Sequence, residues 1–393
     1  MKLRSKVIIS ITVTLVLIYI GIRSFVPTYI EKSRNTIVNH QPWPISAAAK
    51  RLHSKLLIGD WHSDSLLWQR DLMKRSDYGH VDVPRLIEGN VAFQSMTAVT
   101  KSPSGQNYHR NSDNSIDNIT LLAFAQGWPV PTLVSLLERA LYQVNQLKKL
   151  IAQKPDQLRL IANLEDVDWV INKRKQGEPA IGFLMGMEGA HPLQGELINL
   201  GRLWNAGYRM IGLQHFFDNE LGGSLHGEND AGLTPFGKEV VRGAVSRQMI
   251  LDLAHSSIQV VKDVLELTDV PVIISHTGIY GHCASPRNIP DELLQKIAMR
   301  GGVIGIGYWK DVICDSTPKA IVQSIRAGIT LLGVDHISLG SDFDGSVDVP
   351  FDTSELAALT HEMLEQGFTE EEIYKVMGGN MIRLLKNTLP KRN

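Results

Sequence analysis

Seven residues with metal-binding side chains stand at the ends of apolar runs in this 393-residue chain. His62 and Asp64 follow "KLLIGDW" two positions apart, and because side chains alternate along an extended backbone, both project from one face. Glu188 ends "AIGFLMGME", His215 ends "YRMIGLQH", His255 ends "MILDLAH", His276 ends "PVIISH" and Asp342 ends "HISLGSD". Imidazole and carboxylate together suit zinc or a similar first-row divalent ion, and a catalytic site must keep a position open. Three histidines and two carboxylates exceed the needs of one open tetrahedral site. They match a two-ion site in which a carboxylate bridges ions about 3.5–4 Å apart. Glu188 is the expected bridge, with His62 and Asp64 on the first ion and His255 and His276 on the second. Taken singly, each has a plainer reading. A strand-end histidine is more often a satisfied polar group, Glu188 could pair with an arginine, and Asp342 with Asp344 could shape a turn in which Gly345 permits a positive φ. Taken together, so many costly groups at buried positions require something charged to hold them.

The elements that must position these residues are eight short apolar or β-branched runs: "KLLIGDWH", "NVAFQSMTAV", "AIGFLMGMEG", "YRMIGLQH", "MILDLAH", "PVIISH", "GVIGIGY" and "HISLGSD". Near-continuous apolar strands alternating with helices imply a parallel sheet covered on both faces. Eight such units predict an α/β fold of the closed (β/α)8 TIM-barrel type, whose carboxyl-end rim would gather residues almost three hundred positions apart. Between the strands, "PTLVSLLERALYQVNQLKKLIAQ" keeps a 3.6-residue period through Leu133, Leu136, Leu137, Ala140, Leu141, Val144 and Leu147. Thr369 and Glu372 have capping-box spacing and predict the start of a last helix that closes the barrel.

A formal net charge of −1 and 21% charged residues supply no general field for nucleic acid, which points to a small-molecule partner. The N-terminus departs from this average. "MKLRSK" (residues 1–6) precedes "VIISITVTLVLIYIGI", which continues to Val26 as a segment long enough to cross a bilayer, with no clear cleavage site. Residues 7–26 are expected to be an uncleaved signal anchor, 27–45 a tether, and 46–393 the catalytic barrel. Basic residues flank the segment on both sides, so charge alone leaves its orientation open. The two cysteines, Cys283 and Cys314, could form one disulfide outside the cytoplasm or be two unrelated buried thiols.

Six ordered blocks, "DWHSD", "GMEGAH", "GLTPFG" with "ILDLAHSS", "PVIISHTG" with "CASPRNIPDELL", "LGSDFDG" and "GGNMIRLL", resemble the membrane (renal-type) dipeptidases, the M19 metallopeptidases of the amidohydrolase superfamily. The resemblance runs from about residue 50 to residue 386. It implies a zinc-dependent dipeptidase with two Zn2+ per chain, held by His62, Asp64, bridging Glu188, His255 and His276. It further implies that His215 lies toward the scissile carbonyl, that Arg287 in "CASPRN" takes the substrate carboxylate, and that Asp342 lies beside the activated water. A Cys283–Cys314 disulfide and a homodimer are also implied. Two departures bear on substrate preference: Trp61, where the family usually has a small residue, and Ala190 in place of a second glycine. "LPKRN" offers no hydrophobic tail for a lipid anchor, so any anchor is expected at the N-terminus, with the barrel outside the cytoplasm.

In the expected chemistry, two divalent ions acidify a shared water to near neutrality and Asp342 carries its proton to the departing amine. One ion and His215 stabilise the oxygen that gains charge, and Arg287 favours very short peptides with a free carboxylate. The alternatives are another amidohydrolase on the same barrel, acting on β-lactams, lactones or N-acyl amino acids, or a membrane-tethered binding protein without catalysis.

Overall fold

The computed structural model describes residues 2–392. Eight parallel strands form a closed barrel: β1 Ile58–Asp60, β2 Val91–Val99, β3 Ile181–Glu188, β4 Tyr208–Gly212, β5 Ile250–Asp252, β6 Ile273–Thr277, β7 Val303–Ile306 and β8 Ile337–Leu339. Each falls within one of the eight apolar runs, save that β6 runs one residue past "PVIISH" to Thr277. Neighbours in sequence pair in space, and the ring closes where Leu339 of β8 lies opposite Asp60 of β1. Every residue of β1 to β8 is buried. That is why these strands read as unbroken apolar stretches rather than alternating ones. A further strand, Leu158–Leu160, pairs with the first residues of β3 before β4 joins at Met185. Three residues with Arg159 at the centre carry too little apolar pattern to announce it.

Trp61, Leu184, Met210, Ile250, Ile273 and Val303 belong to one buried apolar cluster. Trp61 is fully buried among them, so its bulk packs behind the site and does not narrow its mouth. Outside, the helix Leu136–Ala152 begins after the Ser135 cap and buries Leu137, Ala140, Val144 and Leu147; Leu133 lies in the preceding 3-10 turn. Thr369 and Glu372 form the capping box. The closing segment is not one straight helix, however, because it kinks at Gly378 before Asn380–Thr388. A Cβ on Gly378 would lie 1.9 Å from the Leu57 carbonyl oxygen, so only glycine lets this segment approach the start of β1.

The N-terminal helix α1 spans Lys2–Arg34 with Pro27 inside it. Residues 27–45 therefore differ from a free tether. Pro27, Glu31 and Asn35 recur every four residues and are buried along one face. Thr36–Ile37 pairs in parallel with Asp348–Val349. Cys283 and Cys314 are joined in a disulfide, tying the loop after β6 to the segment after β7. In the chain-entropy picture, closing such a loop stabilises the fold by roughly 3–4 kcal/mol.

Candidate active site

The chain leaves each strand at the same end of the barrel, and there the polar residues converge. His255 Nε2 lies 3.1 Å from Glu188 Oε1 and 3.0 Å from His276 Nε2, and His276 Nε2 lies 3.3 Å from the same Glu188 oxygen. On the other side, His62 Nε2 is 3.4 Å from Glu188 Oε1 and 3.5 Å from Asp64 Oδ1. Ligands on a tetrahedral ion with bonds of about 2.0–2.2 Å are separated by about 3.3–3.6 Å, 1.63 times the bond length. These five separations, 3.0–3.5 Å, are thus close to those of a coordination sphere, and both triangles contain Glu188. His215 Nε2 faces the other Glu188 oxygen at 3.4 Å, and Asp342 Oδ1 stands 3.8 Å from His62 Nε2. Groupings of Glu188 with His215 and His255, and of His62 with His276 and Asp342, could also hold an ion.

The surroundings fix which imidazole nitrogen faces inward. Ser275 Oγ is 2.8 Å from His276 Nδ1 and 3.3 Å from His62 Nδ1. The Asp252 carboxylate accepts the Ser275 and Ala254 amides and so fixes the strand end that carries this serine. Ser275 thus holds both Nδ1 atoms and leaves the Nε2 of each ring facing Glu188. Thr97 of β2 donates its hydroxyl to Asp64 Oδ1 at 2.5 Å, and Asp60 accepts the His62 and Ser341 amides. His215 Nδ1 lies 3.2 Å from the Lys101 carbonyl, which can only accept, so that nitrogen carries a proton.

Electrostatics reflects this crowding. Burial alone would raise the Glu188 carboxyl, yet the charges of His215 and His62 and hydrogen bonds from His255 and His276 hold it well below the usual range. Burial holds His255 and His276 well below the ordinary histidine value, which leaves them neutral and fit to ligate. His62 is driven the other way: Glu188 and Asp64 overcome its burial and hold a proton, and the same negative field would hold a cation. Burial, with repulsion from Glu188 and Asp64, pushes Asp342 well up.

Two of these residues occupy the left-handed backbone region despite having side chains, His255 at φ 61° and Asp342 at φ 59°. Such backbone is costly without glycine and concentrates at functional sites. Gly345 itself does not adopt a positive φ; Asp342, Asp344 and Ser346 do. The glycine is required for space, since a Cβ there would lie 2.0 Å from Asp342 Oδ1. Asp344 proves to be the turn-shaping acid. It accepts from Ser65 Oγ and the His80 amide at 2.6 Å each, while Arg70 pairs with it.

A cavity of about 80 Å3 opens onto Asp64, Glu188, His215, His255, Arg287 and Asp342, with Tyr108, Phe216 and Val99 in its walls. Arg287 is buried, donates from Nη2 to the His276 carbonyl at 3.0 Å, and lies over the Trp309 ring. All eight residues singled out in the sequence meet in this one place. Ser275, Thr97 and the Lys101 carbonyl were not singled out. Each is an ordinary residue inside or just after an apolar strand, with no spacing to distinguish it.

A family model described as membrane dipeptidase (peptidase family M19) matches residues 46–392. The chain is 26% identical to dipeptidase ataJ of Aspergillus terreus over 391 residues, which covers 89% of this chain and 88% of that protein. It is 27% identical to dipeptidase tcpJ of Claviceps purpurea, over 78% of this chain and 69% of that one. Among solved structures, the probable dipeptidase PvdM of Pseudomonas aeruginosa superposes with a TM-score of 0.72 at 20% identity, covering 87% of this chain and 97% of its own. A metallopeptidase of Rhodobacter sphaeroides, liganded with a phosphinate mimic of the dipeptide L-Ala-D-Ala, superposes with a TM-score of 0.69 at 23% identity, covering 85% and 99%. These structural likenesses are likenesses of fold. The family match spans the whole barrel and every residue of the converging cluster, and the chain belongs to the membrane dipeptidases, peptidase family M19.

Proposed function

We propose that this chain is a zinc-dependent dipeptidase held in a membrane by α1, with its barrel outside the cytoplasm. The observation that carries the reading is the pair of ligand triangles sharing Glu188: His62 with Asp64, and His255 with His276. Two divalent ions held there would supply Lewis acidity and an acidified water. Asp342, buried and driven toward its protonated form, takes a proton at its carboxylate and passes it to the departing amine nitrogen. His215 carries its Nδ1 proton against the Lys101 carbonyl, so its Nε2 edge is turned to the cavity, toward the carbonyl oxygen that gains charge. Arg287, its guanidinium fixed by the His276 carbonyl, offers a charged partner for a free C-terminal carboxylate. The phosphinate dipeptide mimic bound by the Rhodobacter protein supports a dipeptide as the ligand of this site too.

The test is metal content per chain, measured by elemental analysis on the full-length protein, with hydrolysis of a dipeptide panel before and after chelation. About two zinc ions per chain and chelator-sensitive cleavage are expected. Metal without dipeptide cleavage would transfer the site to another amide or lactone substrate, and no metal would overturn the reading.

A further inference from the structure

The apolar stretch of α1, residues 7–22, is bracketed by Lys6 and Arg23 and contains sixteen residues. At 1.5 Å per residue it is about 24 Å long, and it reaches the roughly 30 Å of a bilayer's hydrocarbon core only when continued past the charged Arg23 to Val26. Its last turn is not free of the protein either. The ring of Tyr19 packs on Phe124 with centroids 5.2 Å apart, and the Arg23 guanidinium lies against Gly127. Only residues 7–18, about 18 Å of helix, rise clear of the barrel.

The barrel surface beside this turn exposes several apolar side chains. Helix Asn118–Gln126 turns Ile119, Leu122 and Ala123 inward, into the cluster with Leu67 and Val99 that walls the active-site cavity. Its outer face presents Leu121 at 60% exposure and Phe124 at 49%, three residues apart and therefore neighbours on the helix. The turn that follows exposes Val130 at 75% and Val134 at 83%. Single exposed apolar residues are ordinary, but four of them on one short segment, of which Phe124 packs on the anchor helix, mark a surface to be covered.

We propose that this face of the barrel is immersed in the leaflet on its own side of the membrane. The proposal rests on the reading of α1 as a spanning anchor. When α1 spans, the barrel is drawn in until Leu121, Phe124, Val130 and Val134 lie at the boundary of headgroups and acyl chains, which supplies the depth the helix lacks. Lipid, rather than a second chain, is the occupant, because the apolar face begins where α1 falls short and is continuous with it through Tyr19 and Phe124. Arg23 and Lys149 border the adjoining groove, where they suit headgroup phosphates. The active-site cavity then lies one helix away from the bilayer.

Both native cysteines are in the disulfide, so single cysteines carrying an environment-sensitive nitrobenzoxadiazole label can be placed at will. The full chain would be labelled at Leu121→Cys, at Val134→Cys, at Val13→Cys within the anchor and at Met299→Cys on the exposed end of helix Asp291–Met299. Each variant would be reconstituted into phosphatidylcholine–phosphatidylglycerol vesicles containing doxyl-labelled lipid. The label at 13 should be quenched by deep doxyl groups, and those at 121 and 134 by shallow ones, severalfold more than at 299. If 13 is quenched while 121 and 134 behave like 299, immersion is overturned and the anchor stands. If 13 is not quenched, the anchor reading fails and immersion fails with it. A blue-shifted but unquenched label at 121 would assign the face to a second copy of the chain and overturn the proposal.

Discussion

Glu31, near the end of the N-terminal helix, and Arg70, in the loop after β1, form a buried ion pair, and Arg70 also reaches Asp344, two residues from Asp342. Asn35, one turn further along, accepts the Ser346 amide at 2.8 Å, and Val38 donates to the Val349 carbonyl. The end of α1 is thus a latch on the loop that carries the proposed proton carrier. Glu31→Gln leaves Arg70 with one carboxylate partner. It should cost about 1–3 kcal/mol and loosen residues 342–349, which amide hydrogen exchange on the full-length protein would register as lost protection in that segment. Unchanged protection there would reduce the pair to a local contact.

Ser275 should act through the two histidines it orients. Replacing it with Ala removes the shared partner of the His62 and His276 Nδ1 atoms, and the rings become free to flip or change tautomer. Zinc affinity, measured by competition with a chromophoric chelator, should fall about 10–100-fold. Ser338→Ala is the control, since that buried hydroxyl has no hydrogen-bond partner and should leave zinc affinity unmoved. Equal effects of the two changes would make Ser275 a packing residue only.

The contrast between these two predictions shows what a sequence exposes. All eight strands were legible because burial on both sides of a parallel sheet leaves continuous apolar runs, and His62, Glu188, His255 and His276 stood out as breaks in them. Ser275 did not, because one serine inside "PVIISH" interrupts nothing, and its value lies in reaching two rings at once. The burial of Glu31 was hidden for a different reason. It depends on Arg70, 39 positions away, and through it on Asp344, while locally the mixed, polar, Pro-containing stretch 27–45 reads as a tether. The kink at Gly378 was equally non-local, since it is imposed by the Leu57 carbonyl of β1's approach.

Asp342→Asn keeps the size of the side chain and removes its basicity. Asp342 is not in either ligand triangle around Glu188, so about two zinc ions should remain by elemental analysis, while dipeptide turnover falls by about 10²-fold or more. Full activity in this variant would exclude Asp342 from proton transfer.

Arg287→Ala should separate substrate capture from chemistry. If the guanidinium pairs with a free carboxylate, KM for dipeptides should rise far more than for the corresponding dipeptide amides. A similar change for both would assign Arg287 to holding the His276 carbonyl instead.

His53 provides a prediction away from the site. It is buried between helix Ala47–His53 and Thr360, with Nδ1 2.8 Å from the Thr360 hydroxyl and Nε2 3.2 Å from the Gly89 carbonyl. Burial lowers its pKa from 6.5 to about 4, more than the Gly89 contact raises it. Between those values the unfolded chain binds a proton that the folded chain refuses, so stability is full above pH 6.5 and declines as pH falls toward 4. The loss amounts to roughly 3 kcal/mol over that window. His53→Gln has nothing to titrate there. Urea unfolding of the full-length protein in detergent, compared at neutral and acid pH, should show the wild type losing more stability than the variant on acidification by about that amount. Parallel losses in the two proteins would place the acid sensitivity elsewhere.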